Sequence, residues 1–394
     1  MELFKDPKVD WLGMSRILLA VSLALALLGA GAMLLRGGLR LGVDFVGGTL
    51  AYIKFKDDPE VDRVRRTLSE GELKAEEVTR FDELAKNEVQ IRMGRIENEE
   101  SDDLIAQSDR IIEALRREYD QEGLDSGKLD LNNVVATALS AKLQQLDPDG
   151  LGKEKSVEDA VDHYDQLAEN VVAHRNSSGG VFQSLEELQG IDLSEAAVNA
   201  LRDNVYFGNF TVLSVESVGP KVGQEMRDRA QSAIIFSLLG ILIYIAIRFQ
   251  PAYGVAAIVA IFHDVVITVG ALALTNSEIT LSVIAALLTL VGYSINDTIV
   301  IFDRVRENRS LMRRATLAEV INTSINQMLN RTILTSGGTF LAVFALYLLG
   351  GPVLRTFSFA LVIGIFVGTY SSVAIASPIV VWWYGRSEQK RRRK

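Results

Sequence analysis

Apolar positions along the chain follow two rhythms. Six stretches, 17–35, 230–247, 253–275, 281–302, 332–350 and 357–383, are almost continuously apolar. Each is close to the ~20 residues that cross a ~30 Å hydrocarbon core. Between the first two, residues 37–229 alternate shorter patterns: strand periodicity at 47–55, 77–81, 89–93 and 210–218, and helical periodicity at 61–68 and 102–119. Strand, helix, strand, strand, helix, strand is the split βαβ order of a ferredoxin-like fold. The last strand arrives late, after an acidic excursion over 121–209. There Val134, Ala138 and Leu139, and later Val157, Ala160, Tyr164 and Val171, recur at helical spacing, with turn residues at 123–127, 147–150 and 176–180.

The predicted fold class is an α-helical polytopic membrane protein of six transmembrane helices. Its α+β ferredoxin-like external domain, between helices 1 and 2, carries a helical insertion. The predicted domains are 1–36, with the first span; 37–229, with its core at 47–120 and 210–219 and the insertion at 121–209; the span bundle 230–383; and a basic tail, 384–394. The bundle includes a loop at 303–331 in which Leu311, Ala315, Ala318 and Ile321 predict a helix, either solvated or lying on the membrane surface.

Charge orients these elements. The net charge of −9 hides a separation, because the acids gather at 57–203 and the cations beside the apolar runs. Arg248, the arginines of 304–331, Arg386 and the basic residues of 390–394 fall on one side if the spans alternate. The positive-inside rule then places both termini in the cytoplasm and the acidic domain outside. The first apolar run is longer than the 7–15 residues of a secretory signal core and lacks a convincing A-x-A cleavage site, so it is expected to remain as a span.

Several chemistries are excluded or weakened. With no cysteine there is no disulfide, thiolate nucleophile or cysteine-ligated metal. His163, His174 and His263 lack HExxH spacing, and no phosphate-binding loop is visible, so neither a histidine metal site nor ATP hydrolysis is expected. Asp147, Asp149, Gly152 and Glu158 match positions of an EF-hand loop, but Leu151 replaces an oxygen ligand and Lys153 and Lys155 intrude. An ordinary helix connection is the expectation there.

The candidate chemistry lies inside the spans. Asp297 falls about fifteen residues into its apolar run, roughly 22 Å along a helix. A carboxylate near a bilayer centre costs roughly 2.5–3.5 kcal/mol, so such an acid faces the bundle interior, pairs, or takes up a proton. Asn296 adjoins it, and His263 with Asp264 lies halfway along the third span. Arg331 stands at the mouth of the fifth, before a Thr335–Thr339 run whose Gly337 and Gly338 would let helices approach closely. Two readings of Arg331 stand at this point, a cation that moves the acid's proton affinity or a snorkelling interfacial residue. For His263 and Asp264 they are proton relay or a packed structural pair. Asp303 and Arg304 end an apolar run and mark the membrane boundary.

Four segments resemble the SecF family of the bacterial Sec protein-export machinery, within the SecD/SecF proteins of the resistance-nodulation-division superfamily. Residues 42–49, with Asp44, Gly47 and Gly48, are similar to its entry motif after the first span. Residues 215–223, with Gly219 and Pro220, are similar to its re-entry motif. Residues 292–308, from Gly292 through Asp303 and Arg304, and 331–338 resemble its fourth- and fifth-span signatures. The excursion over 121–209 departs from the pattern. The resemblance implies a non-enzymatic subunit without a cofactor, driven by the proton gradient, which pairs with SecD. It further implies action beside the SecYEG channel, with YajC and YidC as further partners, an exported unfolded polypeptide as substrate, and no nucleic acid. It implies a multi-pass protein of the bacterial inner membrane with its large domain periplasmic, and a proton-coupling set of Asp297, Arg331 and Asn296. Two other readings remain open: half of an exporter of lipids or small molecules, and an intramembrane aspartyl protease using Asp264 and Asp297, for which the GxGD-type sequence is missing.

Overall fold

The computed structural model describes residues 7–71, 73, 75–80, 87–94, 101–154, 157–191 and 193–392, in two compact units: Val46–Gly223, and Met1–Phe45 with Gln224–Lys394. The chain enters through α1 (Trp11–Leu35), opened by Asp10, whose Oδ1 accepts from the Gly13 amide at 3.0 Å, and reaches a short α2 (Val43–Val46).

The Val46–Gly223 unit begins with β1 (Gly48–Phe55), α3 (Val61–Glu70), β2 (Ala75–Arg80), β3 (Glu88–Met93) and α4 (Ser101–Tyr119). After the excursion, β6 (Phe210–Val218) closes an antiparallel sheet in the order β2-β3-β1-β6. The succession of strands and helices is the one the periodicity predicts, with bounds shifted by one or two residues; Phe81, in the predicted second strand, lies outside the described residues. Alternation along β1 buries Ala51, Ile53 and Phe55 against Val64 and Leu68 of α3 and Ile111 and Leu115 of α4, which makes the core of this unit. Gly48 is fixed by geometry. Its φ of +116° suits glycine, and a Cβ there would lie 2.5 Å from the Met93 carbonyl oxygen.

The excursion holds α5 (Gln121–Asp125), β4 (Leu129–Asp130), α6 (Ala136–Leu146), α7 (Leu151–Glu154), α8 (Val157–Ser177), a 3-10 turn (Leu185–Gly190), α9 (Glu195–Asn204) and β5 (Val205–Tyr206). It is helical as expected, but β4 and β5 pair in parallel, which no periodicity signals in two residues. It has its own core: Leu139, Leu143, Tyr164, Val171, Phe182, Leu188 and Leu201. Its two ends meet, because Asn209 donates from its backbone to Asp120 Oδ1 at 2.7 Å and from Nδ2 to the Tyr119 carbonyl at 2.6 Å. Asp120 is 5% exposed. Burial, with Asp130 nearby, pushes its carboxyl up to about 6 against the Asn209 hydrogen bond.

The remaining unit continues through α10 (Pro220–Arg248), α11 (Pro251–Leu274), α12 (Leu281–Leu311), α13 (Leu317–Leu349), α14 (Gly351–Ser371), a π turn (Ser372–Ala376) and α15 (Ser377–Arg392). Among the described residues, six helical segments are long and apolar enough to cross a membrane. One expectation fails: no separate helix forms in the 303–331 loop. Instead α12 runs on to Leu311 and α13 starts at Leu317, where Thr316 and Glu319 form a reciprocal capping box. Apolar windows mark where a helix is dry, not where its hydrogen bonds stop. Residues Asn322 and Asn326 of α13 instead hold the first turn of α1, accepting from Leu12 N at 3.1 Å and Trp11 Nε1 at 3.0 Å.

Candidate functional site

The six-helix unit has an apolar cluster near each end. One gathers Tyr253, Ile301, Val305, Ile321 and Val380, and the other Leu272, Val283, Ala286 and Ala360. Between them on α11 and α12 lie Asp264, 1% exposed, and Asp297, 2% exposed. Buried charges persist only where hydrogen bonds or partners answer them, and both acids are answered by hydroxyls.

Asp264 Oδ2 accepts from Ser294 Oγ at 2.5 Å and from Ser371 Oγ at 2.8 Å, while Oδ1 meets His263 Nδ1 at 2.8 Å. Asp297 Oδ2 accepts from Ser336 Oγ at 2.9 Å and, more weakly, from Thr369 Oγ1 at 3.4 Å. Ser294 and Asp297 stand one turn apart on α12, and Thr369 and Ser371 two residues apart on α14. Two adjacent polar clusters, one around each acid, therefore tie α11, α12, α13 and α14, and α14 donates to both acids. Its close approach depends on Gly368, where a Cβ would lie 3.1 Å from Ser294 Cβ. The π turn follows at once, with Ser377 Oγ donating to the Ser372 carbonyl at 3.0 Å. Such turns interrupt the regular helix and recur at functional sites.

His263 Nε2 is buried without a hydrogen-bond partner among the described residues. Its ring centroid is 6.2 Å from that of Tyr370, whose hydroxyl reaches α1 at Ser22 Oγ, 2.6 Å, and at the Leu18 carbonyl. The arrangement sets two carboxylates and an imidazole, all groups able to take up a proton, among hydroxyl donors between the apolar ends.

The predicted residues divide. Asp297, Asp264 and His263 come together. Asn296 does not: it is exposed, because successive helical residues point about 100° apart. Arg331 is also exposed and makes no ion pair with Asp297 among the described residues. Among the described residues a Cβ at Gly292, Gly337 or Gly338 would meet nothing within 4 Å, so the close approach expected of Gly337 and Gly338 is not made. The tight glycine crossing is elsewhere, between α1 and α11, where a Cβ on Gly29 would fall 2.5 Å from Gly270 Cα.

The motif residues at the span ends act structurally. Asp44 Oδ2 accepts from the Leu281 amide at 2.7 Å and so caps α12 with Thr280. Pro220 opens α10 while the Gly219 carbonyl accepts from Gly223 N at 2.8 Å. A Cβ on Gly47, whose φ is +80°, would lie 3.3 Å from Val218 O. Asp303 is held by both oxygens to Arg248 at 2.9 Å, and Arg304 bonds Gln327 and Glu307 at 2.6 Å.

Two other readings lose their geometry. Asp147 accepts from the Gly152 amide and Tyr164 hydroxyl, and Asp149 bonds His163 and Ser194, so these carboxylates serve the helix connection. Asp264 and Asp297 each bond their own hydroxyls rather than one another, unlike a protease dyad. The site residues missed in the sequence are Ser294, Ser336, Thr369 and Ser371. Of these, Ser294 alone carried a signal, its place one turn before Asp297.

Residues 197–386 match the family described as protein export membrane protein SecD/SecF, C-terminal. The chain is 45% identical to protein translocase subunit SecF of Koribacter versatilis over 97% of its own length and 93% of that protein's. To the SecF of Calditerrivibrio nitroreducens it is 32% identical, over 96% of each. Among solved structures it resembles SecDF, a translocon-associated membrane protein from Thermus thermophilus, with a TM-score of 0.65 and 32% identity, covering 96% of this chain. It spans only 39% of that longer chain.

Proposed function

The chain belongs to the SecF family, multi-pass membrane subunits accessory to Sec protein translocation, and on that premise we propose that it converts a proton gradient into late steps of polypeptide export, as one half of a pair with SecD. The observation that carries this reading is Asp297: a buried carboxylate that, among the described residues, accepts from hydroxyls of two other helices, α13 and α14. Taking up a proton there changes what Ser336 and Thr369 can donate to, and so biases how α13 and α14 sit against α12. Arg331 acts in this scheme as the neighbouring cation, closing on the acid in another arrangement of the helices, and His263 with Asp264 relays protons. Each charge moved across 100 mV is worth ~2.3 kcal/mol, enough to shift such a two-state element.

Pairing with SecD is supported by the uncovered polar face of α12 and α13. Gly292 and Asn296 on one helix, and Arg331, Thr335 and Gly338 on the other, are exposed or meet nothing within the chain. Transporters of this kind place their coupling site between two halves, and the Thermus thermophilus relative carries SecD and SecF in one chain. In this reading the pair works beside SecYEG in the bacterial inner membrane, with YajC and YidC as neighbours. Both termini are cytoplasmic, and the Val46–Gly223 domain meets the emerging unfolded polypeptide on the periplasmic side.

Reconstitution tests it. Proteoliposomes holding this chain and its SecD are expected to conduct protons and to speed release of an exported chain. Vesicles holding this chain alone are expected to do neither. Proton flux from this chain alone would overturn the pairing.

A further inference from the structure

At the end of the helical bundle where the arginines concentrate, a cavity of about 70 Å³ is lined by Arg248, Phe249, Gln250, Tyr253, Phe302, Asp303, Arg306 and Arg309. Three guanidinium groups face it against one carboxylate, and that carboxylate is committed to Arg248 by two 2.9 Å bonds. Arg306 and Arg309 form no ion pair among the described residues. Arg309 is instead held in place by stacking, its guanidinium carbon 4.7 Å over the Tyr384 ring. Tyr384 is fixed in turn by its hydroxyl on Gln250 Oε1 at 3.0 Å.

A second feature points the same way. Gln250 is the N-cap of α11, a helix of 24 residues, yet its side chain makes no capping bond. Pro251 has no amide and the Tyr253 amide is bonded to the Gln250 carbonyl at 3.0 Å, so this helix end contributes the positive end of its dipole beside the arginines rather than a row of free amides. Tyr253, one turn in, packs at 5.0 Å on Phe302 and closes the floor. The cavity combines unneutralised planar donors, a helix N-terminus and aromatic walls at the boundary of an apolar span. Arginine forks suit phosphate oxygens in particular.

We propose that this pocket binds a phosphate group, presented by an anionic phospholipid whose acyl chains lie along the exposed apolar face of α10, where Tyr244 and Ile247 flank Arg248. Basic pockets between membrane helices hold lipid headgroups in this manner. The lipid would bridge the α10–α11 turn to the far end of α12 and α15, and so fix the cytoplasmic ends of the helices that carry Asp264 and Asp297. The proposal concerns binding alone and is independent of proton coupling.

The test uses the full chain in neutral detergent, followed by native mass spectrometry and by thermal unfolding. Phosphatidylglycerol, phosphatidylcholine and inorganic phosphate are added separately. Saturable retention and stabilisation by phosphatidylglycerol over phosphatidylcholine, with little effect of inorganic phosphate, is the expected result. Stabilisation by inorganic phosphate equal to that by phosphatidylglycerol would keep the phosphate site and assign it a soluble source. Replacing both arginines, Arg306→Gln with Arg309→Gln, is expected to weaken phosphatidylglycerol binding about 30-fold, at roughly fivefold per arginine near an anionic surface. The pair Arg313→Gln with Arg314→Gln, outside the cavity on the same end, is expected to change it less than threefold. Wild-type protein that fails to distinguish phosphatidylglycerol from phosphatidylcholine and ignores inorganic phosphate would overturn the proposal. So would equal losses in the two double variants.

Discussion

Replacing Asn132 by alanine should loosen the helical appendage from within while leaving the membrane helices intact. Asn132 is fully buried. Its Nδ2 donates to the Phe182 carbonyl at 3.0 Å and the Gly208 carbonyl at 2.7 Å, and its Oδ1 accepts from the Phe182 amide at 2.8 Å. Asn133 alongside holds the β6 edge, donating to the Phe210 carbonyl at 2.8 Å and accepting from Val212 N at 3.0 Å. One side chain thus satisfies three buried backbone groups from two distant segments. Each lost bond costs about 0.5–1.5 kcal/mol net, and a buried group left without a partner adds to that, so Asn132→Ala should cost roughly 3–5 kcal/mol. This is a large part of the ~5–15 kcal/mol that holds a typical domain together. Hydrogen exchange on the full chain reads it. Amides over 129–134, 181–191 and 205–212 should exchange about a hundredfold faster or more, since ~1.4 kcal/mol is tenfold, while α11 to α14 keep their protection. Asn132→Asp, which keeps the acceptor but loses both donors and buries a charge, should be at least as damaging. Exchange within threefold of wild type in Asn132→Ala would refute the idea that this residue holds the appendage's own segments together.

Three further outcomes follow from the geometry. Because the excursion's ends meet at Asp120 and Asn209, replacing 121–205 with a short Gly/Ser linker should leave a chain that inserts and retains the four-stranded sheet; rapid degradation of that chain in cells would show that the appendage belongs to the core. The Asp120 carboxyl, raised from 3.8 to about 6 by burial, keeps its proton in the folded state over a range where the unfolded chain has lost it. Stability of this joint should therefore fall as pH rises from about 4 through 6, by at most ~3 kcal/mol. Exchange at the Asn209 amide, corrected for intrinsic rates, should be faster at pH 7 than at pH 5, and Asp120→Asn should abolish the difference; a pH dependence that survives the substitution would contradict this. Gly270→Ala places a methyl 3.0 Å from Gly29 Cα across the α1–α11 crossing and should lower thermal stability by ~1–3 kcal/mol, whereas Gly338→Ala, with open space around it, should not.

The strands, the amphipathic helices and the six spans were legible because each carries its own period, and an acid in a dry helix announces itself by its cost. Asn296 stands apart from the buried acid: sitting beside Asp297 in sequence is what puts it on a different helix face. Hydroxyl partners such as Ser336 and Thr369 were not legible, since serine and threonine can satisfy themselves on their own helix, as Thr335 and Thr339 do here at 2.9 and 3.1 Å. The capping box at Thr316 and Glu319 stood in the sequence and would have ended the loop-helix expectation. The two-residue pairing of β4 with β5 had no local signal, being set by the fold around it.

The central claim is that the Asp297 carboxyl takes up and gives back the proton that drives export, and one substitution reaches it directly. Asn is nearly isosteric with Asp, stays neutral, and can still accept from Ser336. The Asp297→Asn chain, assembled with its partner in inverted membrane vesicles, should therefore accumulate and pair normally but lose stimulation of export when a proton-motive force is applied. Full stimulation in that variant under the same gradient would contradict the account.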